Sequence, residues 1–234
     1  MKNLWNRIKR KFIKLRLQPI RVFCFHQVSD VFDSTTMWEC DWTQTEQFKK
    51  NIEVLQTRYT FISLEEARGH MLNDIFRFRK YAVLTSDDGW ASLVNIVPWL
   101  LEQKIPLMMF VNPAYMLGLD IRENGMDKLL KQDEVYRLVT LGKPYLQIAS
   151  HGWDHRLCTE QSLGAFALNV DRSMEVIVDM NGDTRFFAYP CGYHTRELDL
   201  LLQSKSIIPV YCDGNQNYND ANVIHREPID GLKL

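Results

Sequence analysis

The chain of 234 residues has no hydrophobic run near the roughly 20 residues that a transmembrane helix needs. Its N-terminus lacks the continuous apolar core and the small-residue cleavage site of a secretory signal peptide. No glycine-rich phosphate loop follows the first predicted strand, which argues against a dinucleotide-binding fold. No internal repeat, low-complexity tract or interdomain linker is evident. These absences predict one domain and a cytoplasmic location, with peripheral contact to the inner face of the membrane as a further expectation.

The net charge argues against nucleic-acid binding, and the cysteine content indicates the redox state of the thiols. The formal net charge is −1, so no overall basic field points to nucleic acid. The number of cysteines is odd and none has close metal-type spacing, so we expect reduced thiols in this chain. They are Cys24, Cys40, Cys158, Cys191 and Cys212. A hydrophobic content of 46% suffices for one large core.

The first 19 residues form a basic segment ahead of a domain that we expect to span residues 20–234. Before Asp30 the chain has no acidic residue. The basic residues are Lys2, Arg7, Lys9, Arg10, Lys11, Lys14, Arg16 and Arg21. Apolar residues recur between them at helical spacing, which predicts an amphipathic helix with a cationic face. Such a helix can dock on an anionic membrane surface, or it can simply cover one end of the domain.

Short apolar runs alternate with helical patterns along the rest of the chain. Strands are predicted at 20–25, 59–62, 81–84, 105–111, 145–149, 185–189 and 207–212. About seven strand–helix units in one domain favour a closed or nearly closed parallel barrel over an open, doubly wound sheet. Two capping-box patterns, Thr43 with Glu46 and Ser63 with Glu66, predict helix starts. The tail after Asp213 is rich in Asn, Asp and Gly and is predicted to be a loop.

Polar residues come directly after the ends of four predicted strands. They are His26, the pair Asp87 and Asp88, the pair His151 and His155, and the turn Pro190-Cys191-Gly192. The carboxyl ends of barrel strands converge on one face, so we expect these groups to meet there.

Asp87 and Asp88 carry the strongest chemical signal. Adjacent carboxylates repel one another, so this placement is costly unless a cation or a difference in protonation resolves it. Because successive extended residues point in opposite directions, one Asp can bind a metal while its neighbour faces the substrate. A solvated Asp-Asp-Gly turn is the alternative.

His151 and His155 have a spacing that can present two imidazoles to one ion. Two His and one carboxylate leave open positions for water and substrate, and they suit zinc, with cobalt or nickel as alternatives. Such a metal lowers the pKa of bound water to about 7, and a nearby carboxylate that is not a ligand can act as general base. Buried, hydrogen-bonded histidines are the alternative for this pair.

Five segments in order resemble the polysaccharide deacetylases of carbohydrate esterase family four. They are FCFHQVSD, YAVLTSDDGW, IASHGWDH, RFFAYPCG and HREPI. The resemblance covers most of the chain and implies a distorted (β/α)7 barrel of the α/β class. The implied reaction is hydrolysis of an N-acetyl, less often O-acetyl, group on a sugar.

The resemblance also implies a role for each matched residue. Asp87 would be the general base, and Asp88, His151 and His155 would bind the metal. The backbone N–H of Cys191, in the segment Tyr189-Pro190-Cys191, would help to bind the developing oxyanion. His26 would line the site. The family's general acid is a histidine in a late Leu-x-His motif. This chain has no clean copy of that motif, and His225 and His194 are the candidates.

The chain departs from the family pattern at several positions. Ser86 stands in place of a phenylalanine, Ala188 in place of an arginine that orients the base, and Cys191 in place of an aromatic residue. These departures support an alternative, a glycan-binding protein with degraded catalysis. An amidase acting on another C–N bond is a third hypothesis. If the basic segment docks on a membrane, a lipid-linked sugar is the expected substrate.

Overall fold

Seven parallel strands close into a barrel in the computed structural model, which describes residues 17–32, 42–119 and 129–230. The strands of the protein are β1 (Arg21–Phe25), β2 (Gln27–Val28), β3 (Trp42–Thr43), β4 (Thr60–Phe61), β5 (Tyr81–Ser86), β6 (Leu107–Val111), β7 (Leu146–Ser150), β8 (Phe186–Ala188), β9 (Ile208–Cys212) and β10 (Ile224–Pro228). The predicted basic segment lies outside the described residues as far as residue 16.

Barrel closure depends on β1, which pairs in parallel with both β5 and β10. The circuit runs β1, β5, β6, β7, β8, β9, β10 and back to β1. Strand β4 adds to the outer edge of β5, and β2 with β3 forms a separate pair. The prediction of a single-domain (β/α)7 barrel is therefore confirmed.

Helices cover the outside of the barrel. They are α1 (Thr45–Gln56), α2 (Leu64–Asn73), α3 (Leu93–Glu102), α4 (Pro113–Met116), α5 (Gln132–Gly142), α6 (Leu163–Asp179) and α7 (Arg196–Ser204). Single 3-10 turns occur at Cys158–Glu160 and Pro190–Gly192. None of the helices in the described ranges is long and apolar enough to cross a membrane.

Side chains alternate between the barrel interior and the helical layer. On β5, Val83 belongs to the interior cluster, whereas Leu84 packs in the outer cluster beneath the helices. Both faces of such a strand are buried, so it has a continuous apolar sequence. This is why the first six barrel strands could be predicted from apolar runs. The same alternation points Thr85 and Asp87 inward.

The prediction of a loop after Asp213 is wrong, because β10 lies in that tail and completes the barrel. Its sequence, IHREP, has no apolar run because its inward position, Arg226, is a buried charged residue. The Thr43 capping box is also wrong. Helix α1 starts one residue after Gln44, and Thr43 pairs with Val28 in the small sheet. The Ser63–Glu66 capping box is confirmed, with both reciprocal hydrogen bonds formed.

Arg77 ties three chain segments together where the strands begin. Its guanidinium is buried and donates hydrogen bonds to the carbonyl oxygens of Gln18, His70 and Tyr218, at 2.7–3.0 Å. Its Nε donates to Asp74 at 2.9 Å.

Replacing this side chain, in Arg77→Met, should lower the free energy of unfolding by about 2–4 kcal/mol, because buried acceptors lose their donor. The matched control is Arg79→Met, which changes an exposed arginine two residues away and should shift stability by at most about 0.5 kcal/mol. Urea denaturation measures both. Equal stability of the two variants would contradict this role for Arg77.

Candidate active site

Three side chains that can bind a metal meet at the carboxyl end of the barrel. Asp88 follows β5, and His151 and His155 follow β7. The Asp88 Oδ1 atom lies 3.5 Å from His151 Nε2 and 3.2 Å from His155 Nε2. One possible ligand atom from each residue falls within 4.8 Å of the others. We call this group the metal-site triad.

Two members of the triad have left-handed backbone conformations. The φ angle of Asp88 is 68° and that of His155 is 56°. Such angles are uncommon for residues with a Cβ, and they persist only where the surrounding structure enforces them. The neighbouring Gly152 has φ 77°, and a Cβ there would lie 3.3 Å from Asn169 Oδ1. The turn after β7 thus requires glycine, and it directs His151 and His155 to the same side.

A hydrogen bond from its second ring nitrogen fixes the orientation of the His151 imidazole. Its Nδ1 lies 2.9 Å from the carbonyl oxygen of Ala188 and donates to it, which leaves Nε2 facing Asp88. Burial, with the nearby charges of His155 and Arg226, lowers the pKa of His151 to about 4 although the two aspartates oppose this shift. The imidazole is therefore neutral near pH 7, which is the form that binds a metal.

The hydrogen bonds and charge of the Asp88 carboxylate indicate whether the triad can hold a cation. Its Oδ2 accepts a hydrogen bond from Trp90 Nε1 at 3.2 Å, whereas its buried Oδ1 faces Nε2 of both His151 and His155 without a well-aligned hydrogen bond to either. Burial opposes ionisation of this carboxyl, yet the charges of His155 and His151 hold its pKa below the usual value. A buried, ionised oxygen without a hydrogen bond is costly, so the arrangement fits a divalent metal between the three side chains.

Asp87 forms a buried, bidentate ion pair with Arg226 beside the triad. Arg226 Nη1 and Nη2 donate to the two carboxylate oxygens at 2.6 and 2.8 Å. Asp87 is 4% exposed and Arg226 is 1% exposed. Burial alone would raise the pKa of Asp87, but the positive charge of Arg226 outweighs it and lowers the pKa below its usual value. Asp87 Oδ2 lies 4.0 Å from His151 Nε2, so an ionised carboxylate stands next to the triad.

The sequence patterns predict no role for Arg226, which lies in the segment HREPI. Three further contacts hold its guanidinium: Nη1 to Thr85 Oγ1 at 3.2 Å, Nε to the carbonyl oxygen of Tyr211 at 3.2 Å, and a stack over the Phe110 ring at 5.1 Å. Ala188, where the family commonly has an arginine, packs in the barrel interior. The supporting arginine in this chain comes from β10 instead of β8. The sequence feature that could have indicated this role is the arginine itself, in a segment predicted to be a terminal loop.

His26 is paired with a buried carboxylate that the sequence reasoning also missed. His26 Nδ1 lies 2.8 Å from Asp230 Oδ2, and Thr43 Oγ1 donates to Asp230 Oδ1 at 3.3 Å. Burial opposes the charged imidazole, but the hydrogen bond and charge of Asp230 and the charges of Asp88 and Asp87 raise the pKa of His26 to about 10. The backbone N–H of Asp87 donates to the carbonyl oxygen of Phe25, so His26 lies on the strand end next to Asp87.

The turn Pro190–Gly192 also lies at this end of the barrel, after β8. Cys191 has a left-handed φ of 56° and is exposed. The side chain of Tyr189 points the other way, into the layer beneath α7, where its hydroxyl donates to Asp199 Oδ1 at 3.0 Å. A Cβ at Gly152 would lie 3.5 Å from the Pro190 ring, so this turn lies beside the loop that carries His151 and His155, whereas the Tyr189 ring is directed away from it.

The two late histidines are not brought to the triad. His225 lies on β10 next to the inward-facing Arg226, so its side chain is on the outer face, where Nδ1 lies 2.8 Å from Asp213 Oδ2. His194 stacks on Tyr211 in the same outer region, with ring centroids 3.8 Å apart. Ser86 also faces outward, and its buried hydroxyl has no hydrogen-bond partner among the described residues.

Comparisons with known proteins support the relationship suggested by the motifs. The family model of the polysaccharide deacetylases matches residues 77–207, more than half of the chain. Among curated protein sequences, no significant match to this chain was found.

Solved structures share the fold. IcaB from Ammonifex degensii has a TM-score of 0.76 and 21% identity, covering 91% of this chain and 92% of its own. The deacetylase PplD of Streptococcus pyogenes, in complex with acetate, has a TM-score of 0.76 and 17% identity, covering 91% and 93%. A de-N-acetylase from Aggregatibacter actinomycetemcomitans has a TM-score of 0.71 and 15% identity, covering 91% and 95%. With its barrel, its site and the match of the family model, this chain belongs to the polysaccharide deacetylase family.

Proposed function

We propose that this protein is a metal-dependent hydrolase that removes N-acetyl groups from a carbohydrate. The observation that carries the proposal is the ionised Asp87, held by Arg226, directly beside the metal-site triad. Membership of the polysaccharide deacetylase family supports an acetylated carbohydrate as substrate. The de-N-acetylase among the structural neighbours agrees with an N-acetyl rather than an O-acetyl group.

Asp88, His151 and His155 would hold one divalent ion. Their donor set of two imidazoles and one carboxylate suits zinc, and cobalt and nickel accept the same donors. When bound, the ion lowers the pKa of a coordinated water and polarises the acetyl carbonyl.

Asp87 acts as the general base in this mechanism. Its Oδ2, the oxygen nearer to His151, accepts the proton of the attacking water. Arg226 holds both carboxylate oxygens, which fixes the direction of the lone pairs and keeps the carboxylate ionised. The backbone N–H of Cys191 donates a hydrogen bond to the oxyanion that develops on the carbonyl oxygen of the acetyl group.

His26 is a better general acid than His225 in this geometry. Cleavage of the C–N bond requires a proton on the departing amine, and His26 is adjacent to Asp87 and carries its proton at pH 7. Asp230 orients the ring and stabilises its charged form. His225 is on the outer face of β10, paired with Asp213.

These two pairs weaken the case for a degraded glycan-binding protein. That alternative was based on the substitutions at Ser86, Ala188 and Cys191 and on the missing general acid, and the structure bears on the arginine replaced by Ala188 and on the acid. Arg226 provides the cation from β10, and the His26–Asp230 pair provides a proton donor. No contact in the described residues favours a non-sugar amidase over a carbohydrate hydrolase.

Metal content tests the triad. Purified protein loaded with zinc should hold one ion per chain, measured by inductively coupled plasma mass spectrometry. Asp88→Ala and His155→Ala should each lose the ion because a ligand is removed. Asp87→Asn is the matched control, since it should retain zinc while acetate release falls at least about a hundredfold. Undiminished zinc in both ligand variants would refute the site.

The pH dependence of catalysis tests Arg226. Asp87 must be ionised to act as base, and the charge of Arg226 lowers its pKa. In Arg226→Met the pKa of Asp87 should rise, so the acidic limb of the kcat/KM profile should move to higher pH. Arg226→Lys keeps the charge and should shift the limb less. An unchanged acidic limb in the folded methionine variant would contradict the support of Asp87 by Arg226.

Leaving-group dependence identifies the general acid. His26→Gln should slow acetate release from an N-acetylated oligosaccharide by about a hundredfold or more, because the amine needs a proton. It should have a much smaller effect on 4-methylumbelliferyl acetate, whose leaving group departs without protonation. His225→Gln is the matched control and should leave the ratio of the two rates unchanged. If His225→Gln alone changed that ratio, the assignment would pass to His225.

A further inference from the structure

Residues 151–155 form the loop that carries His151 and His155, and we call it the histidine loop. Two of its residues have left-handed backbone angles, Gly152 with φ 77° and His155 with φ 56°. A backbone of this kind persists only where the surrounding structure holds it. If the loop were free, a bound ion would have to order it, and the lost entropy would reduce the affinity for that ion. The contacts that hold the loop therefore bear on metal binding.

The segment after β6 holds the histidine loop by its carbonyl oxygens. Asn112 Nδ2 donates a hydrogen bond to the carbonyl oxygen of His151 at 2.5 Å, and the Tyr115 hydroxyl donates to that of Asp154 at 3.0 Å. The side chains of Asn112 and Tyr115 are both buried. These contacts fix the first ligand residue and the residue before the second. The backbone N–H of Trp153, in the middle of the loop, has a different partner.

Helix α6 holds the histidine loop through Asn169. The Asn169 Oδ1 atom accepts a hydrogen bond from the backbone N–H of Trp153 at 2.8 Å, and its Nδ2 donates to Asp154 Oδ1 at 2.9 Å. Trp153 and Asp154 are two of the three residues that separate His151 from His155. One side-chain amide thus binds two neighbouring residues between the ligands.

These two contacts require an amide at position 169. The Trp153 N–H needs an acceptor, whereas the Asp154 carboxylate needs a donor. Leucine has a similar size but supplies neither, so both groups would lose this partner. A carboxylate would accept from the N–H but would repel the carboxylate of Asp154. The side chain also lies close to the loop backbone, since a Cβ at Gly152 would be 3.3 Å from Asn169 Oδ1.

We propose that Asn169 is a positioning residue for metal binding. It holds the histidine loop in the conformation in which His151 and His155 face Asp88 before an ion is bound. Residues that orient metal ligands from outside the coordination shell control the affinity for the metal. The inference rests on the metal site of the proposed function, and it adds a residue that is not itself a ligand.

The zinc Kd of the full chain, measured by competition with a chelating dye, tests this role. Asn169→Leu should raise the Kd by about 10- to 100-fold, because the loop loses both contacts. Asn169→Asp should also raise it, because two carboxylates then face one another. The exchange variant Asn169→Asp/Asp154→Asn should recover most of the lost affinity, because the amide and the carboxylate have changed places.

The matched control is Ile177→Val, which removes a buried methyl group near the other end of α6. It should lower the melting temperature and leave the zinc Kd unchanged. The proposal is overturned if Asn169→Leu, shown by its melting temperature to be folded, binds zinc as tightly as the parent chain. It is equally overturned if the exchange variant binds no better than Asn169→Asp, or if Ile177→Val weakens binding as much as Asn169→Leu. A parent chain that binds no zinc would instead overturn the metal site of the proposed function.

Discussion

The ion pair between Asp87 and Arg226 is the interaction on which the site depends. It crosses the barrel interior, because Asp87 follows β5, Arg226 lies on β10, and β1 stands between these strands. Strand β1 pairs with both neighbours, so the ion pair connects the two strands that barrel closure brings to either side of β1. Loss of either partner would leave a buried charge uncompensated, at a cost of about 3–5 kcal/mol. Closure of the fold and ionisation of Asp87, the proposed base, are therefore linked through one contact.

The same constraint explains how far the sequence could predict the fold and the site. Strands such as β5 and β6 are buried on both faces, so their apolar runs are visible in the sequence, and Asp88, His151 and His155 follow such strands. Strand β10 was missed because it carries a charged residue into the interior and has no apolar run. The roles of Arg226, on this strand, and of Asp230, two positions after its end, were missed for the same reason. Both act through partners more than a hundred residues away, and local pattern does not contain such pairings.

The two ends of the barrel differ in chemistry. The end where the strands finish carries the triad, the Asp87–Arg226 pair and the His26–Asp230 pair. The end where the strands begin carries the exposed Phe76 and Phe78, and the buried Arg77 between them joins this segment to three others.

Release of acetate from a panel of N-acetylated oligosaccharides tests the central claim most directly, with the protein measured after zinc loading and after removal of metal by a chelator. We expect the zinc-loaded protein to release acetate from at least one member of the panel, to lose this activity after chelation, and to recover it when zinc is restored. If the protein bound the same oligosaccharides but released no acetate with any metal tested, the proposed hydrolysis would be wrong. The protein would then be a glycan-binding protein with a deacetylase fold.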